Sequence, residues 1–156
     1  MRKVAWIAAI AVTGAFVSTG GAQAQVSGKW QVDVAQQPSR APTDAPAGAV
    51  VRRSQFPASG TLDIRTKADS AFATWTPTQP AAAPIEMRGV VTGGKVTLRG
   101  EQEGRMNVNG EVSIVLMLLE FDLTPTQLGL QGTIELKTET GARVIGSAAV
   151  EAKRAG

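Results

Sequence analysis

The sequence predicts an all-β fold of eight antiparallel strands, arranged as an up-and-down barrel or as a sandwich. Three observations lead there. Apolar residues recur at every second position in segment after segment, the period at which successive side chains leave opposite faces of a strand. The pairs Gly93-Gly94, Asn109-Gly110 and Thr140-Gly141 separate those segments at the intervals antiparallel hairpins need. No segment holds a 3.6-residue apolar period long enough to make a convincing helix.

The chain begins with a stretch of different character. Met1, Arg2 and Lys3 are followed by residues 4–17, mostly apolar and uncharged, and Ala22 and Ala24 stand three and one before Gln25. This is the layout of a signal peptide over residues 1–24, with cleavage expected after Ala24. The apolar stretch is shorter than the ~20 residues that cross a bilayer, and no cysteine is present for thioether lipidation. The expected product is periplasmic or secreted, with no membrane span left after cleavage. Residues 25–156 then form a single β domain.

Residues 26–35 alternate, with Trp30, Val32 and Val34 on one face and Lys29, Gln31 and Asp33 on the other, giving the first strand. Residues 36–57 change composition, with Pro38, Pro42, Pro46 and Pro57 among Ala, Ser, Gln and Arg. So little apolar surface cannot offset the entropy of ordering the segment, so a long flexible loop is expected. It is the natural lid for anything held inside. Residues 58–66 bring Leu62 and Ile64 into step, 70–76 contain Phe72 and Trp75, and 84–92 contain Ile85, Met87 and Val91. After the Gly93-Gly94 turn, 95–101 resume the alternation through Val96 and Leu98.

Residues 111–123 are the most apolar part of the domain, unbroken from Ile114 to Leu119. A strand buried on both faces and a short helix both fit such a run. Strand is preferred because β-branched residues lead in and Phe121, Asp122 and Leu123 return to alternation. Pro125 ends it. Residues 128–137 place Leu128, Leu130, Ile134 and Leu136 on one face, and 143–154 alternate through Val144, Gly146, Ala148, Val150 and Ala152.

Absences narrow the chemistry. The chain has no His, Cys or Tyr, so it lacks the usual zinc ligands, the imidazole base of a Ser or Cys triad, and any disulfide. No metal or other cofactor is expected. Net charge is +3, but Arg2 and Lys3 lie in the leader, so the domain is nearly neutral. The bases Arg52, Arg53, Arg65, Lys67, Arg88, Arg99 and Arg105 are scattered among acids, without the cationic stripe and stacking aromatics of a nucleic-acid binder. Aromatic girdles of an integral outer-membrane barrel are absent as well.

Gly28-Lys29-Trp30 opens the first strand and Arg154 lies near the end of the last. This resembles the calycin superfamily of lipocalins and avidins, in which a first-strand Gly-x-Trp closes the barrel floor and, in lipocalins, an arginine covers the tryptophan. The resemblance implies an eight-stranded, lipocalin-like barrel with Gly28, Trp30 and Arg154 as its closure. It does not extend to biotin, since the family's binding tyrosine has no counterpart here.

Two groups of residues remain as candidates for chemistry. Glu101 with Glu103, and Glu120 with Asp122, share strand faces about 7 Å apart, a spacing open to acid and base roles. A solvated outer face is the ordinary outcome for such pairs. Glu120 stands out, because an inward carboxylate beside Leu118 would have a raised pKa. Phe72, Trp75, Met87, Met106 and Met117 could line a ligand cavity or simply fill the core, and core filling is the default. The functional expectation is a non-enzymatic exported barrel that binds a small hydrophobic molecule. The alternative is an interaction module with a filled core, presenting loops or an edge strand to another envelope protein.

Overall fold

The computed structural model describes residues 25–36 and 56–156. It contains β1 (Gly28–Val34), β2 (Ser59–Lys67), β3 (Ser70–Gln79), β4 (Ile85–Thr92), β5 (Lys95–Val108), β6 (Glu111–Pro125), β7 (Leu130–Thr138) and β8 (Val144–Arg154). Each strand pairs antiparallel with its neighbour in sequence, and β8 returns to β1, with Trp30 opposite Arg154 and Val34 opposite Val150. The sheet is thus a closed up-and-down barrel rather than a sandwich. Closure satisfies the backbone groups that an open sheet would leave at its edges.

Alternation decides which side chains fill the interior. Trp75 and Phe121 meet edge to face, with ring centroids 5.2 Å apart and an interplanar angle of 64°. Leu62, Leu98, Leu123 and Ile134 surround them, all fully buried, each worth roughly 1.5–3 kcal/mol of burial. Inward Gly60 lies under the six-membered ring of Trp75, where a methyl group would collide with the indole. Here a small side chain faces a large one across the lumen, which lets the strands close around the indole.

The turns follow their residues. Gly93 and Gly94 (φ +59° and +82°) and Asn109 and Gly110 (φ +55° and +89°) take the two consecutive positive φ values of a tight hairpin turn. Chain direction then sorts the connections onto two ends. One end carries Gln25, Val26, the start of β1, the end of β8 and the β2–β3, β4–β5 and β6–β7 turns. The other carries the connections β1–β2, β3–β4, β5–β6 and β7–β8.

Three sequence expectations are corrected. β5 does not stop at residue 101 but continues to Val108, paired with β6 throughout. The apolar run that begins at Ile114 is not buried on both faces: Ile114 is 69% exposed, because β7 reaches only as far as Met117. Leu128 does not join the inner face of β7. It sits in the preceding turn, 85% exposed, where Thr126 and Gly129 close the chain reversal.

Candidate functional site

The first end of the barrel is plugged. Because Trp30 and Arg154 are register partners on the two strands that close the sheet, the guanidinium carbon lies 4.6 Å from the Trp30 ring centroid. The same guanidinium donates to the Ser27 carbonyl at 3.1 Å and to the Gln25 carbonyl at 3.3 Å. The Trp30 Nε1–H donates to the Val26 carbonyl at 2.9 Å, so the indole is 2% exposed yet satisfied at its polar atom. Gly28 has φ +125°, and a side chain there would approach Arg154 Nη1 to 2.6 Å. The positive φ is what calls for glycine, since the guanidinium is the end of a flexible side chain that can shift. A groove of about 280 Å³ lies outside the plug, bounded by Gln25, Pro125, Leu128 and Arg154.

The other end holds a partly open, mainly apolar pocket of about 210 Å³ among the described residues. Trp75 and Leu119 form its floor, Ile85 and Pro77 a wall, and Phe56, Pro57, Pro80, Ala82 and Ala83 its rim. Gln102 is the one lining residue with a polar side chain. Position explains the composition. Inward residues near the end of β3 and the start of β4 point into the mouth, and the Pro- and Ala-rich β3–β4 connection supplies apolar surface without rows of backbone N–H donors.

Among the residues expected to line a ligand site, only Trp75 reaches this cavity. Met87 is fully buried deeper in the core. Met117 points inward with its methyl over Gly104. Phe72 is corrected outright: it stands on the outer face, 45% exposed, three residues from Trp75 and so on the opposite side of β3. The side chain of Met106, the leader over residues 1–24 and residues 37–55 of the expected loop lie outside the described residues. Sequence reasoning passed over Phe56, Pro77, Pro80, Ile85, Gln102 and Leu119. The readable signal for several of them was the apolar but strand-breaking composition of residues 77–84.

The carboxylates face away from any cavity. Glu120 points outward between β5 and β7, bonded to Arg99 Nε and to Lys137 Nζ, the latter at 2.8 Å, and Lys137 also reaches Glu135 at 3.1 Å. Burial pushes the Glu120 carboxyl up, but the hydrogen bonds from Lys137 and Arg99 outweigh it and hold the group below the ordinary carboxylate range. The expectation of an inward, raised carboxyl is therefore reversed. Asp122 behaves alike: burial raises it, while Thr97, donating at 2.6 Å, and Lys95, at 3.3 Å, lower it further than burial lifts it. Lys137 is raised by its bonds to Glu120 and Glu135, against the opposing effect of burial. Glu101 and Glu103 are solvent-exposed. These groups form an ion ladder on the outer wall, and among the described residues no group of three or more acids could hold a metal ion.

Compared with protein-family models, curated proteins and solved structures, the chain matches none of them.

Proposed function

We propose that the chain is an exported, non-enzymatic barrel of calycin-like type that holds one small hydrophobic molecule in the cavity at the end opposite the plug. The supporting observation is the pairing of opposite ends: an arginine–tryptophan plug at one, and at the other a 210 Å³ apolar cavity floored by Trp75 and Leu119. A dry, apolar cavity of about 150 Å³ is enough to bind benzene. A single-ring or short aliphatic molecule is the class that fits here. Gln102 offers one polar contact, favouring a ligand with a single hydroxyl or carbonyl at one end. The site of action is the periplasm or the medium outside the cell, in keeping with the signal-like first 24 residues.

Titration with a small apolar fluorophore, followed through Trp75 emission, tests this reading. Saturable one-to-one uptake is expected, lost in Ile85→Trp, which fills the cavity from its wall. Uptake that survives that substitution would place the ligand elsewhere. A second reading, an interaction module of the envelope, is favoured by one observation: among the described residues, β5 and β6 outrun their neighbours and extend beyond the end opposite the plug as a two-stranded ribbon.

A further inference from the structure

The pairing of β4 with β5 ends at Met87 opposite Gly100, and that of β6 with β7 at Met117 opposite Thr138. The pairing of β5 with β6 continues to Val108 opposite Glu111. Among the described residues, no strand flanks residues 111–116 on the β7 side. The two-residue turn at Asn109-Gly110 makes Val108 and Glu111 a mutually hydrogen-bonded pair. Odd-numbered residues of this ribbon therefore turn their backbone groups toward β5, and Val112, Ile114 and Leu116 turn theirs to the open side. The same three carry aliphatic side chains on the outer face, with Val112 64% and Ile114 69% exposed. Edges of this kind are ordinarily blunted by Lys, Pro or a bulge. Residues 111–116 contain no Lys or Pro, and the register with β5 is unbroken.

We propose that two copies of this chain associate by antiparallel pairing of their β6 edges over residues 111–115, with Ser113 of each copy on the two-fold axis. The edge is self-complementary in that register. Val112 lies opposite Ile114 of the other copy on the outer face, so apolar meets apolar twice. Ser113 lies opposite Ser113, a favourable cross-strand hydroxyl pair. Glu111, the edge's sole charge, lies opposite Val115 rather than a second glutamate, so no like charges meet. Val112 and Ile114 of both copies then exchange four backbone hydrogen bonds. Sliding the copies deeper by one pair of residues would drive the incoming hairpin onto Thr138 at the end of β7, and sliding them apart forfeits ladder bonds. The arrangement is isologous, as a closed dimer requires.

Sedimentation of the purified chain, its N-terminus fixed by mass spectrometry, should give twice the molar mass of a monomer, with Ile114→Lys halving it. Ser113→Cys supplies an independent readout, because the chain has no other cysteine. A non-hydrogen-bonded pair brings Cα atoms to about 4.5 Å, within disulfide range. Mild oxidation should convert Ser113→Cys to a covalent dimer, and Arg105→Cys, one strand removed, should stay uncrosslinked. A monomer at every concentration with no Ser113→Cys crosslink overturns the proposal, whether the edge is bare or covered from within its own chain. A dimer that persists in Ile114→Lys, or recovery only with a different protein bound to the edge, overturns it equally. Should Ile114→Lys fail to fold, the crosslinking pair decides alone.

Discussion

Replacing Arg154 with alanine removes a ring contact and hydrogen bonds together. The guanidinium lies 4.6 Å from the centroid of an indole that is 2% exposed, and a cation over a partly desolvated ring is worth about 1 kcal/mol. The hydrogen bonds to the carbonyls of Ser27 and Gln25 are at an exposed side chain and together contribute about 1 kcal/mol more. The expected loss is about 2 kcal/mol, or roughly 6–10 °C in Tm for a domain of this size. Urea titration followed by far-UV circular dichroism gives the free energy, and Arg154→Lys should fall between, since an ammonium keeps the charge and loses the planar fork. A double-mutant cycle with Trp30→Leu isolates the ring contact, with a coupling of about 1 kcal/mol expected. A loss under about 0.5 kcal/mol for Arg154→Ala, or a coupling indistinguishable from zero, refutes the plug as a stabilising device.

Other expectations follow from the same geometry. Glu120 and Asp122 titrate below the ordinary range in the folded state, so their stabilisation is complete above the unfolded carboxyl pKa of about 4 and is lost as pH falls through the lower folded values. Glu120→Gln should cost about 1–2 kcal/mol at neutral pH, the pair with Lys137 being largely shielded from solvent, and should flatten the acid limb of a stability profile. An unaltered acid limb would contradict the assignment. At the alkaline end, Lys137 works in the opposite sense: its contribution holds below the unfolded value of about 10.4 and fades above it. Gly60→Ala should displace the Trp75 ring it supports, costing about 1–3 kcal/mol and shifting tryptophan emission to the red. Leu128→Ser should change stability by less than about 0.5 kcal/mol, since the side chain is 85% exposed, and a loss the size of a core deletion would return Leu128 to the interior.

Much of the barrel was legible because alternation and turn chemistry act locally. Trp30, Val32 and Val34 declare their shared face within one strand, and Asn109-Gly110 declares its turn in two residues. Gly28, Trp30 and Arg154 could be linked across the whole chain only through the family resemblance, since nothing local to residue 154 names its partner. What stayed illegible depends on neighbours. Whether Ile114 is covered is decided by where β7 stops, and that length is not encoded near Ile114. Phe72 and Trp75 occupy one apolar segment, yet strand parity puts them on opposite sides of the wall. Glu120 reads as suspect from its position beside Leu118, while Arg99 and Lys137, which set its ionisation, come from strands 21 and 17 residues away. The cavity is assembled from residues 56–119, so no single stretch announces it.

The most direct test is a crystal of the protein pressurised with xenon. One ordered xenon site bounded by Trp75, Ile85 and Leu119 is the predicted result, with the Trp30–Arg154 end excluding gas. Density confined to the outer wall or the plugged end, with the mouth cavity holding ordered water, would contradict the account of a barrel built to hold an apolar guest.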